Sequence, residues 1–141
     1  MKQAAGILII ALVLAAPAAA ADPHASARAD LLRCRAALKL LDVARLSKQA
    51  AAAQLKPLGA AKKACAVSAA LKQASYVNSG DQGLSQAYDA QVGMTDGLLN
   101  FGKYVGDIAA GEAGHAKILN YAVAEITQSK ILLDDALTQL K

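Results

Sequence analysis

Cys34 and Cys65 are the two cysteines of this 141-residue chain, and an even number of cysteines in an exported protein predicts a disulfide. A bridge requires Cα atoms about 4.4–6.8 Å apart. If the helix holding Cys34 ran straight to Gln54, Cys65 would lie roughly 22 Å away along the axis. We therefore expect a Cys34–Cys65 disulfide, with the first helix ending near Leu46 and residues 47–58 forming an irregular or short helical crossover. Two unpaired or intermolecular cysteines are the alternative.

The two histidines do not stand in a metal-binding pattern. His24 lies near the start of the first predicted helix and His115 in the first turn of the last one, so we expect them at opposite ends of a bundle. Neither His-x-x-x-His nor Glu-x-x-His spacing occurs, and the sequence predicts no metal site. His115 shares a stripe with Leu119, which predicts a packed or capping histidine.

A small exported helical bundle invites comparison with b-type cytochromes, in which Met and His hold a haem. Met94 and His115 would lie roughly 20 Å apart along the bundle axis, too far for two ligands of one haem. Cys-x-x-Cys-His, the motif for covalent haem attachment, is also missing. The sequence therefore predicts no cofactor.

Nucleophiles and paired acids are similarly uninformative. There is no Gly-x-Ser-x-Gly motif, and the serines and histidines suggest no catalytic triad. Asp134 and Asp135 are adjacent on a helix, so they point about 100° apart and should be solvated. Glu125 lies at the edge of an apolar stripe without a partner, which is weak evidence for chemistry. We predict no catalytic residue and no enzymatic activity.

Charge is unevenly distributed along the chain. Residues 22–78 contain ten Lys or Arg and three Asp, a formal net charge of +7, whereas residues 79–141 contain four Lys and eight acids, a net charge of −4. A basic first half could bind anionic lipid headgroups, envelope polymers or an acidic protein. The candidate contacts for such a partner are Arg28, Arg35, Lys39, Lys62 and Lys63.

Two other interpretations of the basic residues stay open: a solvated face without a partner, and neutralisation of the acidic second half within one bundle. Nucleic acid is not favoured as a partner. The chain has one Phe, four Tyr and no Trp, so aromatic side chains do not interleave with the cations. No small-molecule substrate is inferred.

The first 21 residues are typical of a secretory signal peptide. A short basic start, Met1–Gln3, precedes the apolar run Ala4–Ala16, and Ala19–Ala21 fits the small-x-small rule of signal peptidase. An uncleaved membrane anchor is the alternative, but the run is shorter than the roughly 20 residues that a spanning helix needs. We expect cleavage after residue 21, a secreted or periplasmic product, and one domain over residues 22–141.

Helical periodicity organises that domain. Between Leu84 and Ile108, apolar side chains recur at positions i, i+3 and i+7, which places them on one stripe of an α-helix. Asp22-Pro23 fits a helix N-terminus, Pro57 fits a break, and Ser79 with Gln82 fits a capping box. The predicted fold is all-α, an antiparallel four-helix bundle running up-down-up-down. Its predicted helices cover residues 23–46, 60–77, 84–108 and 115–140.

The first predicted helix is apolar around most of its circumference, which predicts a central helix or a subunit interface. A domain of this size has little room to surround it, so we expect a homodimer through helix 1. The predicted function is binding of a protein partner, and association with an anionic membrane or polymer surface is the alternative.

Four glycines interrupt the third predicted helix. Gly93/Gly97 and Gly102/Gly106 form two Gly-x-x-x-Gly pairs on opposite shoulders of its apolar stripe. Each glycine costs roughly 0.8–1 kcal/mol relative to Ala, so we expect two neighbouring helices to approach closely there. A helix that deforms to admit a ligand or membrane is the alternative.

Overall fold

A computed structural model describes residues 22–141, which form five α-helices. No β-strand occurs in this range, so the all-α prediction is confirmed, and the longer helices pack closely as in a bundle. The predicted signal peptide, residues 1–21, lies outside the described residues. The helices are α1 (Pro23–Leu38), α2 (Lys48–Cys65), α3 (Ala69–Val77), α4 (Gln82–Ala110) and α5 (Ala116–Gln139).

The predicted N-terminal cap is correct for α1 and wrong for α4. Asp22 caps α1 by accepting a hydrogen bond from the His24 N–H at 3.0 Å, with Pro23 in the first turn as predicted. The predicted Ser79 cap of α4 is wrong, because α4 begins two residues later. Asp81 is its cap and accepts the Leu84 N–H at 3.0 Å.

The first helix is shorter than predicted, ending at Leu38 instead of Leu46. Residues 39–47 form an irregular link whose Leu41, Val43 and Leu46 pack half-buried against the core. The Asp42 N–H donates to the Gln54 carboxamide at 3.0 Å, which ties the link to α2. The apolar residues that seemed to surround helix 1 therefore belong partly to this link.

The predicted break at Pro57 is also wrong. Pro57 lies inside α2, although proline removes one intrahelical hydrogen bond and costs about 3 kcal/mol. The neighbouring Leu58 and Ala61 are buried, and their packing offsets that cost. The chain breaks instead after Cys65, and Ser68 caps α3 by accepting the Leu71 N–H at 3.0 Å.

The predicted Cys34–Cys65 disulfide is confirmed, with the Cα atoms 4.4 Å apart. The crossover differs from the prediction, because it covers residues 39–47 instead of 47–58. An extended chain advances about 3.3 Å per residue and a helix 1.5 Å. The non-helical link of residues 39–47 therefore carries the chain far enough from Cys34 for α2, which runs back from Lys48, to bring Cys65 beside it.

α4 makes its most extensive contacts with α5. A Cβ placed on Gly97 would lie 2.8 Å from the Ile126 side chain and 3.1 Å from its backbone nitrogen, and one on Gly93 would lie 2.6 Å from the Ser129 hydroxyl. The close approach predicted for Gly93/Gly97 is thus confirmed, with α5 as the neighbour.

The second glycine pair behaves differently at its two members. The flexible end of Lys62 from α2 covers Gly102, whereas nothing lies within 4 Å of a Cβ placed on Gly106. The predicted close packing is therefore wrong at Gly106.

The core lies along one stripe of α4. Leu84, Met94, Leu98, Phe101 and Val105 are buried there and meet apolar residues of the other four helices. No helix between residues 22 and 141 is long and apolar enough to cross a lipid bilayer.

Candidate functional site

The disulfide is part of the core. Cys34 and Cys65 are both fully buried, and the bridge joins the last turns of α1 and α2. Solvent reagents therefore do not reach the sulfurs in the folded protein, which makes the bridge a structural crosslink.

Beside the bridge, a buried carboxylate joins α1 to the start of α3. Asp30 accepts a hydrogen bond from the Ser68 hydroxyl at 2.7 Å and also pairs with Arg33. Because Ser68 is the cap of α3, this contact fixes where the helix resumes after Cys65. The sequence offered no signal for it, since Asp30 and Ser68 are 38 positions apart.

The two histidines lie at opposite ends of α4, as predicted. His24 Nε2 is 2.5 Å from Asp81, the cap at the start of α4. The Leu84 N–H and, after it, His24 stabilise the charged carboxylate and hold the pKa of Asp81 below its ordinary value of 3.8.

His115 follows the end of α4, where it occupies the cap position of α5. The prediction of a packed or capping histidine is wrong, because its side chain is exposed and makes no capping hydrogen bond. Among residues 22–141, no group of three or more His, Cys, Asp or Glu is positioned to hold a metal ion.

The acidic residues of α5 are dispersed. Asp134 and Asp135 are both exposed, as expected for solvated neighbours, and Asp134 lies 3.4 Å from Arg35. Glu125 is half-buried beside the glycines of α4.

Two of the five candidate anion contacts are already engaged by the protein. The Arg28 guanidinium donates to the carbonyl oxygens of Leu137 at 2.8 Å and Leu140 at 3.1 Å, at the end of α5. These carbonyls lack intrahelical partners and carry the negative end of the helix dipole. Arg28 is therefore a C-terminal cap of α5, and Lys62 lies against Gly102.

The other three candidates, Arg35, Lys39 and Lys63, are exposed. Arg35 and Lys39 meet Lys130 of α5 around a pocket of about 260 Å³, whose lining also contains Leu38, Leu133 and the carboxylate of Asp134, the partner of Arg35. Lys63, on α2, does not line this pocket. The structure thus gathers two of the five residues and adds Lys130, which sequence reasoning missed.

Most of the basic first half is free of internal ion pairs. Of its ten Lys and Arg, only Arg33 and Arg35 form salt bridges with carboxylates of the described residues. Among the described residues, Arg35 is the one of these ten cations that pairs directly with an acid of the second half, Asp134.

A second exposed surface is apolar and runs along the seam between α2 and α4. We call it the α2–α4 face. Leu55 of α2 and Val92 and Leu99 of α4 are exposed on it, Leu99 to 55%. Val92 and Leu99 are seven residues apart and so lie on one side of α4. A depression of about 220 Å³ between Val67 and Val92 continues this face toward α3.

The face extends onto α3, where Tyr76 is 68% exposed and its ring centroid lies 6.5 Å from that of Tyr88. A separate groove of about 420 Å³ runs between the start of α1 and α3, with Pro23, Leu71 and Val77 in its lining. Sequence reasoning missed the α2–α4 face, although the heptad spacing of Val92 and Leu99 beside the buried stripe was a signal for it.

No protein-family model, curated protein or solved structure matches this chain. The assignment of a function therefore rests on the chemistry of the surfaces described above.

Proposed function

We propose that this chain is an exported, non-enzymatic helical-bundle protein that acts by binding another protein. The observation that carries the proposal is the α2–α4 face, where Leu55, Val92 and Leu99 are exposed on the two helices that border one seam. Exposed apolar side chains that cluster in this way are typical of binding surfaces.

The surface proposed here replaces helix 1 as the site of contact. α1 buries Ala27, Leu31, Cys34 and Leu38 on one side, and its only exposed large apolar side chain is Leu32, at 38%. Without an apolar outer side, α1 offers a partner little to bury.

Export is part of the proposal. It is supported by the leader-like pattern of residues 1–21, with cleavage after Ala21, and by the disulfide, which forms and persists in oxidising compartments.

We further propose that the bundle alternates up-down-up-down, with α2 and α3 as one interrupted arm. The contacts of Gly83 with Leu140 and of Gly97 with Ile126, in which α5 descends as α4 rises, support that direction for the last two arms.

Site-specific photo-crosslinking in the producing cell tests the proposal. A photoreactive amino acid at Leu99 should give a discrete crosslinked protein band, whereas the same group at Ile131 should not. Ile131 is a matched control, because it is 52% exposed on α5, outside the α2–α4 face. Equal crosslinking from both positions, or none from Leu99, would count against protein binding through this face.

A second candidate function is association with an anionic surface such as lipid headgroups or polymers. It is favoured by the cations of the basic first half that form no salt bridge within the described residues, and by the grouping of Lys39 and Lys130 around the pocket that Arg35 and its partner Asp134 also line. Exposed charges attract such a surface over about 10 Å at 0.1 M salt.

Sedimentation with anionic vesicles tests this candidate. Binding should fall steeply between 50 and 200 mM salt, and it should weaken further in Lys39→Glu than in the control Lys117→Glu, an exposed lysine on α5 away from the pocket. Salt-independent binding, or equal effects of the two variants, would exclude this mode of attachment.

A further inference from the structure

We propose that the protein bound at the α2–α4 face is a second copy of this chain, so that two copies pair face to face about a two-fold axis parallel to the helices. This inference rests on the proposed function and specifies which protein binds at the α2–α4 face. It comes from the charges that border the apolar strip and from the levels at which they lie.

The charges on the two sides of the seam are opposite. α2 and α3 contain five lysines and no acidic residue, whereas α4 contains three aspartates and one lysine. Four of the lysines on the first side are exposed, namely Lys48, Lys56, Lys63 and Lys72, as are Asp89 and Asp96 on the second. No salt bridge joins α2 or α3 to α4 within the described residues, so these charges remain available to a partner.

Contacts along the seam show which residues of α2 and α4 lie at the same height along the helix axes, here called the same level. Lys48 approaches Gly111, Lys62 approaches Gly102, and Val67 shares a depression with Val92. Residue numbers therefore rise along α4 as they fall along α2. The Lys48–Gly111 and Val67–Val92 contacts place Lys63 at about the height of Asp96 along the helix axis, and the Lys62–Gly102 contact places it about a turn further along α4.

The same register continues onto α3. Val67 lies beside Val92 and Tyr76 contacts Tyr88, so Lys72, between Val67 and Tyr76, lies between those two heights, near Asp89. Two exposed lysines of the interrupted α2–α3 arm, Lys63 and Lys72, thus lie near the levels of two exposed aspartates of α4, Asp96 and Asp89.

A two-fold axis parallel to the helices keeps every residue at its level and places α2 of one copy over α4 of the other. Lys63 then faces Asp96 of the second copy, and Lys72 faces Asp89, each pair occurring twice. Lys56 falls near Lys103 of the second copy, an unfavourable pair that also occurs twice, with Asp107 a turn further on. The face is therefore complementary in charge at Lys63 and Lys72, two of its four exposed lysines.

The apolar residues occupy the centre of the same arrangement. Val92 and Leu99 lie on the outer side of α4 that borders α2, so both copies bring them toward the axis. A Cβ added to Gly106, seven residues from Leu99, meets nothing within 4 Å, so this part of the face is open. An apolar centre with a charged rim is the usual anatomy of a protein interface. The apolar centre supplies most of the binding free energy, because each exposed ion pair contributes little. The charged rim fixes the orientation of the two copies.

Sedimentation velocity over a concentration series of the purified, disulfide-bonded protein tests the proposal. The unaltered protein should form a dimer, and Leu99→Glu should weaken it about 30-fold or more, as expected for a central contact. Ile131→Glu should leave it unchanged. Circular dichroism of each variant checks that the helices remain.

A charge-exchange series then tests the register. Asp96→Lys and Lys63→Glu should each weaken the dimer about tenfold, because each creates two like-charge pairs. The double variant should restore an affinity within about threefold of the original. Loss without restoration would overturn the register, and with it the two-fold arrangement proposed.

A protein that stays monomeric at all concentrations would overturn the dimer. That failure is distinguishable from failure of the proposed function. A monomer whose Leu99 position still crosslinks to a different protein keeps the binding role and assigns the face to another partner, whereas a monomer without any crosslink loses both.

Discussion

At the scale of single residues, Gln91 is the polar side chain placed least favourably. It is fully buried in α4, and neither its amide nitrogen nor its carbonyl oxygen has a hydrogen-bond partner among the described residues. Its position in the heptad pattern of Leu84 and Leu98 explains the burial, because that stripe of α4 faces the core.

We expect Gln91→Met to raise the free energy of unfolding by about 1–2 kcal/mol, since it removes the cost of two unsatisfied polar atoms at similar volume. Urea denaturation measures this, with Gln86→Met on the half-buried edge of α4 as the control. A loss of stability in Gln91→Met would show that the amide is in fact satisfied.

Asp81 provides a pH dependence with a definite sign. Its pKa is lowered in the folded protein by the Leu84 N–H and then by His24, so the folded state binds this proton less tightly than the unfolded chain does. A carboxylate of this kind contributes stability at pH values above its unfolded pKa of 3.8, and the contribution is lost as the pH falls through the folded pKa.

Asp81→Asn keeps a side-chain oxygen for the Leu84 N–H but removes the charge. We expect the variant to melt at a lower temperature than the original at pH 6, and the difference to shrink as the pH falls below about 4 and through the folded pKa. Thermal melts across this pH range check the prediction, and a difference that grows in acid would contradict it.

At the scale of helices, the glycines of α4 separate into packed and unpacked positions. A Cβ added to Gly97 would meet both the side chain and the backbone of Ile126, whereas a Cβ added to Gly106 would meet nothing within 4 Å. Two chemically identical substitutions in one helix should therefore have opposite effects.

Gly106→Ala should stabilise the protein by about 0.8–1 kcal/mol, the helix-propensity difference. Gly97→Ala should destabilise it by about 1–2 kcal/mol, because the new methyl group forces α5 away at a backbone contact. Denaturant midpoints measure both changes. Similar values at the two positions would mean that α4 and α5 are not held at the distance described.

The start of α1 was predictable from a local rule, whereas the local rules applied at Ser79 and Pro57 failed. Asp22-Pro23 starts α1 as its sequence indicates, because capping involves only neighbouring residues. The ends at Leu38 and at Cys65 were not predictable. Both depend on contacts between distant residues, namely Asp42 with Gln54 and Asp30 with Ser68.

At the scale of the whole molecule, the disulfide joins the two helices that the irregular link connects. Its cysteines are separated by 31 positions, and a crosslink of that span stabilises by about 3–4 kcal/mol in the chain-entropy model. The basic half of the chain therefore depends on the bridge to keep α1 against α2.

Replacing both cysteines with alanine should lower the free energy of unfolding by about 3–4 kcal/mol from lost crosslinking, with a further loss from the smaller buried side chains. Urea denaturation of the double variant tests this. A decrease below about 1 kcal/mol would show that the bridge adds little to a link already fixed by packing.

Heptad periodicity in the sequence determined that this chain is helical, and the cysteine pair determined its crosslink. Periodicity is a local property, since every turn of a helix repeats the same geometry. Tertiary structure decided where the helices stop, why Pro57 is tolerated, which cations stay unpaired, and that Val92 and Leu99 remain in water. Each of these depends on which distant side chains fill the space beside a residue, and spacing along the chain does not encode that.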